Sequence, residues 1–116
     1  VNSEKVDLEI LVGYSQDPLL FDAQDDDVWY HAPEEAGDFF HLSEGLVREL
    51  EAWDREYQGT LNIDDPRESG FPSENAYHTW LNKGRELASR IKRESPNVGR
   101  VGYQARGEYQ RGECVF

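Results

Sequence analysis

The chain has one cysteine, Cys114, and no methionine. A lone cysteine cannot close an internal disulfide, so no disulfide framework supports the fold. Beside Val115 and Phe116 it reads as a packed residue of a terminal strand, since a reactive thiol needs a base or positive charge at hand. With no methionine, Val1 reads either as a non-AUG start, which favours a bacterial source, or as a trimmed end. No apolar run approaches the ~18 residues that span a bilayer. The first apolar stretch, residues 6–12, is interrupted by Asp7 and Glu9, unlike a secretory signal. The chain therefore reads as soluble and cytoplasmic, with no membrane partner.

Catalytic signatures are missing as well. There is no Gly-x-Ser-x-Gly, no His-Glu-x-x-His and no phosphate-binding glycine loop. His31, His41 and His78 never stand at metal-ligand spacing, and each reads as a surface or packing residue. Asp25-Asp26-Asp27 lacks the alternating ligands and turn glycine of a calcium loop. No catalytic residue, metal ligand or cofactor is assigned.

What the chain does have is charge, unevenly spread. Residues 1–47 hold twelve Asp or Glu against one Lys, a net of −11, whereas residues 83–116 hold eight Lys or Arg against four Glu, a net of +4. The formal total is −12. Such a field repels nucleic acid and anionic membrane and attracts a basic protein surface. The basic stretch alternates with Glu86, Glu94, Glu108 and Glu113, so its simplest role is internal charge complementarity. Aromatic residues at 12% and periodic apolar stripes set this composition apart from a disordered one.

Residues 6–12 alternate apolar and acidic before turning wholly apolar, as in a strand exposed on one face at its start. Leu19-Leu20-Phe21 reads as a second strand or a packed loop, and Val28-Trp29-Tyr30 as a strand ended by Pro33. A helix is expected over 43–58, with Ser43 as N-cap, Leu46, Leu50, Trp53 and Tyr57 on one face, and Gly59 as the stop. A loop over 59–72 carries Leu61, Ile63 and Phe71, which should fold it back onto the core. A second helix is expected over 73–94, capped by Ser73 and ended by Pro96. Gly84 in its interior costs ~1 kcal/mol relative to Ala, and its lack of a side chain suits a closely packed neighbour. The tail, residues 98–116, reads as two short strands about Gly107, the last returning to the sheet. The expected fold is α+β: two amphipathic helices packed on one face of a small, mainly antiparallel sheet. At 116 residues this is a single domain, 1–116.

From Leu42 the chain reads Leu-Ser-Glu-Gly-Leu-Val-Arg-Glu-Leu-Glu-Ala-Trp-Asp-Arg-Glu-Tyr, then Asp64-Asp65-Pro66-Arg67-Glu68-Ser69-Gly70-Phe71, then Trp80 with Gly84-Arg85-Glu86-Leu87-Ala88. This text resembles a group of small acidic bacterial proteins of the kind found among immunity proteins beside secreted toxins. The similarity covers about half of the chain, from the first helix through the second. Its motifs are core and turn positions, which speak for shared fold more than shared activity. No functional residue is carried over from it.

Together these features point to an acidic binding protein, most concretely an immunity protein that occludes a basic toxin enzyme such as a nuclease. Carboxylates would stand in for substrate phosphates while one or two aromatics fill the cleft. The candidate partner-binding residues are Asp25, Asp26, Asp27, Glu34, Glu35 and Asp38, with Trp29 and Tyr30 as anchors. A second acidic patch, Asp64, Asp65 and Glu68, would extend that surface. Of the aromatics, Trp29 and one of Phe39 and Phe40 are expected in the core. Two other classes compete. One is a structural or regulatory module that self-associates into a homo-oligomer through an exposed aromatic patch. The other is a small hydrolase pairing a carboxylate with His31 or His41, which needs the two within hydrogen-bond reach.

Overall fold

Leu8 and Ile10 alternate with Asp7 and Glu9 to build the first strand, β1 (Val6–Leu11), with the aliphatic pair wholly inside. A computed structural model describes residues 5–22, 28–61, 64 and 70–116. Leu19 and Phe21 do form a strand, β2 (Leu19–Asp22), and β3 (Val28–His31) follows it. β1 pairs antiparallel with β2, placing Glu9 opposite Leu20; β2 pairs antiparallel with β3, placing Leu20 opposite Tyr30 and Phe21 opposite Trp29.

Three helices then run in succession: α1 (Pro33–Phe40), α2 (Glu44–Gln58) and α3 (Glu74–Glu94). The sequence reading anticipated the last two and missed α1. Pro33 does end the strand, but it also occupies the first helical position, where a missing N–H costs nothing and the fixed φ is already helical. The Glu35 carboxylate reaches back to accept from the Ala32 N–H at 3.3 Å, and the helix closes at His41 in a left-handed conformation, φ 59°. For α2 and α3 the expected caps are in place: Ser43 Oγ accepts from Leu46 N at 3.2 Å and Ser73 Oγ from Ala76 N at 3.1 Å. Each such cap contributes about 1 kcal/mol.

After α3 the chain enters β4 (Val98–Ala105), which lies beside β1 and parallel to it. The strand order is β3-β2-β1-β4, so two of the three pairings are antiparallel. The fold is α+β, as expected, with three helices among the described residues rather than two against the sheet. The tail hairpin is present in altered proportion. Its first arm is the eight-residue β4, while its second is a bridge in which Tyr103 N donates to Cys114 O (2.8 Å) and Phe116 N to Val101 O (2.8 Å). Cys114 is half-buried in that returning segment.

One core joins the helices to a single face of the sheet. Phe21 of β2 meets Phe40 of α1 edge-on at 4.8 Å, and Tyr103 of β4 donates its hydroxyl to Leu81 O of α3 at 2.8 Å. Between α2 and α3 the indoles of Trp53 and Trp80 stack at 4.7 Å, 1° from parallel. Each indole N–H donates to the other residue's backbone carbonyl, at 2.9 and 3.0 Å, so neither donor is lost by burial. Gly84 makes this possible. A Cβ there would lie 2.6 Å from Trp53 Cζ2 and would also strike the Tyr103 ring, so both α2 and β4 use the gap. Phe71 packs 5.2 Å from Trp80, folding the described end of the 59–72 loop onto the core; Ile63 lies outside the described residues.

Candidate protein-binding surface

Glu34, Glu35 and Asp38 stand at consecutive and i+4 spacing on α1, which gathers them on its outer side while Ala36, Gly37 and Phe40 turn inward. All three carboxylates are exposed. Phe40 is fully enclosed and Phe39 packs at 5.1 Å from Phe21 and 4.9 Å from Phe40, so this helix is clamped to the sheet by its apolar side. At its far end Asn97 Nδ2 donates to Phe39 O at 2.9 Å, tying it to the start of β4. The acids are thus presented on a fixed support.

No cation among the described residues pairs with Glu34, Glu35 or Asp38. The basic residues of the second half go elsewhere. Glu49 of α2 receives Lys83 at 2.9 Å and also Arg90, both from α3. These two cations hold the Glu49 carboxyl below its ordinary range, Lys83 by the larger share. Glu94 is shifted the same way: burial opposes the shift, but the Ser43 N–H (3.1 Å) and Arg90 (3.6 Å) outweigh it. The expected internal complementarity is therefore real, yet it joins α2 to α3 and leaves α1 out.

Of the other candidate residues, Tyr30 is half-buried on β3, next to α1 in the chain, and Trp29 stands opposite Phe21 in register. Asp64 is exposed. Asp25, Asp26, Asp27, Asp65 and Glu68 lie outside the described residues. So Glu34, Glu35 and Asp38 share one helix face, and Tyr30 occupies the strand leading into it.

Neither His31 nor His41 converges with a carboxylate among the described residues. His31 stacks on Phe21 at 4.0 Å, with Nδ1 enclosed and without a hydrogen-bond partner among the described residues. His41 caps α1 in the open, and neither ring is hydrogen-bonded to a described carboxylate. No group of three or more His, Cys, Asp or Glu suited to a metal occurs among the described residues.

Sequence reasoning missed an open cleft of ≈ 450 Å³ lined by Phe71, Glu74, Tyr77, His78 and Arg106. Arg106 lies 4.1 Å above the Tyr77 ring, whose hydroxyl donates to Glu108 at 2.9 Å. These residues come from the start of α3 and the turn after β4, and nothing in their sequence spacing predicts that they meet.

With this arrangement in view, residues 6–106 match the model of the Serratia CdiI immunity protein-like family. The chain belongs to that family. The match takes in every strand and helix named above, so the immunity protein-like family shares the whole β1-to-β4 framework and not an isolated motif. It confirms the resemblance read from the helix and turn motifs. No curated protein matches the chain. Among the described residues no helix is long and apolar enough to cross a membrane.

Proposed function

We propose that this member of the immunity protein-like family is a cytoplasmic inhibitor that binds a toxin of contact-dependent inhibition and occludes its active site. The single observation that supports an acidic contact is that Glu34, Glu35 and Asp38 share the exposed side of α1 with no cation among the described residues, whereas Glu49 between the neighbouring helices is clasped by Lys83 and Arg90. Carboxylates left without an internal cation keep their attraction for an incoming basic surface, which speeds association and fixes orientation. The toxin is accordingly a basic protein. A nuclease is the favoured class, because a cleft built for phosphates accepts carboxylates in their place. Tyr30 and Trp29, on the strand that leads into α1, are the proposed aromatic anchors, with Asp25, Asp26 and Asp27 in the segment before them. Asp64, Asp65 and Glu68 are the second acidic patch of the same proposal.

The test is a growth-protection assay in cells that produce the toxin encoded beside this chain's gene. The triple reversal Glu34→Lys, Glu35→Lys, Asp38→Lys is expected to abolish protection. The neutral triple Glu34→Gln, Glu35→Gln, Asp38→Asn is expected to weaken it while unfolding within about 1 kcal/mol of wild type. Full protection by both variants would overturn the acidic-contact reading.

A further inference from the structure

The face of the sheet turned away from the helices holds a feature that α1 does not explain. Strand register puts Tyr30, Leu20, Glu9 and Gly102 in one row across all four strands, and the bridge from Gly102 carries the row on to Val115. Directly paired residues point to the same side of a sheet. Leu8 and Ile10 are on the core side, so this row lies on the other. Leu20 and Tyr30 are half-buried there and Val115 is 39% exposed.

At the middle of the row sits Glu9, whose side chain is only 13% exposed although no helix among the described residues covers that face. Its carboxylate lies flat across Gly102, where a Cβ would come within 2.7 Å of Oε1. The neighbouring acid of β1, Asp7, lies over Gly99 in the same manner, with Oδ1 2.6 Å from where a Cβ would be. Two glycines of β4 thus let both acids of β1 lie down on the sheet. Glu9 Oε2 is enclosed and has no hydrogen-bond partner among the described residues. Its paired cation, Arg111, is 3.8 Å from Oε1 on a side chain that is 80% exposed. The enclosed Oε2 lies against Gly102 beyond the reach of an outside donor, so Oε1, held only by the long Arg111 contact, is the oxygen left to accept a charge-assisted hydrogen bond from a partner.

We propose that this helix-free face is a docking surface for the toxin, with Glu9 as the acceptor of a Lys or Arg side chain and Leu20 and Tyr30 as the adjoining apolar contact. The inference rests on the toxin-binding reading above and names a second contact for it. Charge complementarity selects the occupant: Glu9 stands in the row with Asp7 beside it on the same strand, and its own cation holds Glu9 by one long, solvent-washed contact. The partner's cation takes the place of Arg111 and gives Glu9 hydrogen bonds that Arg111 does not.

The experiment is titration calorimetry between the purified chain and the purified toxin domain encoded beside it. Each variant is first checked for a native circular-dichroism spectrum and melting curve. Glu9→Gln is expected to weaken binding about 30-fold or more, as when one partner of an interfacial charge pair is removed. Leu20→Lys should weaken it about tenfold or more. Arg111→Ala should tighten it, because the competing cation is gone. If the wild-type chain binds while Glu9→Gln and Leu20→Lys bind equally well, the sheet face is not the contact and the inference falls, with toxin binding left standing. If Arg111→Ala weakens binding as much as Glu9→Gln, the pair is a structural clasp and the inference also falls. A wild-type chain that does not bind removes both readings together.

Discussion

The seam between α2 and α3 and the outer side of α1 treat their charges in opposite ways. On the first, Glu49 is clasped by Lys83 and Arg90, Glu94 by Arg90 and the Ser43 N–H, and below them the two indoles satisfy one another's backbones. On the second, three exposed carboxylates have no cation among the described residues, although the chain carries twelve Lys and Arg. A charge consumed inside the fold stabilises it and presents a muted field. A charge left over contributes little to folding and projects outward. The contrast separates the part of the molecule that holds itself together from the part available to another.

If that division is right, substitutions in the helix pair should strike stability hard while changes on α1 leave it nearly untouched. Trp53→Ala is the most severe case. It removes a stacked ring and a buried hydrogen bond, so a loss of about 3–5 kcal/mol is expected in denaturant unfolding. Gly84→Ala comes next and is the sharper test. On helix propensity alone it should gain ~1 kcal/mol. The new methyl would instead press on Trp53 and Tyr103, which are 3% and 0% exposed and cannot swing aside. Overpacking should win, for a net loss of about 1–3 kcal/mol. A stabilised Gly84→Ala would show that α2 and β4 are less tightly held than the helix pair requires.

The helix pair was also the region most legible from sequence. Ser43 and Ser73 mark their helices by a side-chain chemistry that is local, and fifteen or more residues give the apolar stripe room to repeat. α1 was hidden because eight residues hold barely two turns and because proline closes one element and opens another with the same ring. The acids of α1 could be listed from composition, but their gathering on one face follows only once the segment is known to be helical. β4 could be read as a strand, yet its place beside β1 is a tertiary fact with no local signal. The same holds for Glu9. Alternation alone makes it a solvent-facing residue, and its 13% exposure arises from Gly102, 93 positions away in sequence. Glycine's effect there comes through the neighbour it admits.

Two carboxylates on α2 allow the comparison to be made with pH. Glu49 is held below its ordinary range by Lys83 and then Arg90. Half-buried Asp54 is pushed above its own, chiefly by burial, with Gln58 at 3.2 Å opposing and Asp17 adding to the rise. A lowered carboxyl contributes stability that is present above the ordinary glutamate value of 4.5 and is lost as pH falls through its lower folded value. Glu49→Gln should therefore destabilise at neutral pH, by less than ~1 kcal/mol for so exposed a group, and the deficit should vanish in acid. A raised carboxyl works in reverse, since the folded state binds its proton more tightly than the unfolded chain does. Its ionised form is a burden above the raised value, and that burden is relieved as pH falls toward 3.8. Asp54→Asn, which keeps an oxygen to accept from Gln58, should raise the melting temperature at pH 7 and lose the advantage near pH 3.8. Melting curves of the two variants across pH 3–7 should thus diverge from wild type in opposite directions as pH rises. Parallel curves would mean that Lys83 and Arg90 do not hold Glu49 in solution, and the distinction between a satisfied helix pair and an unsatisfied α1 would lose its electrostatic basis.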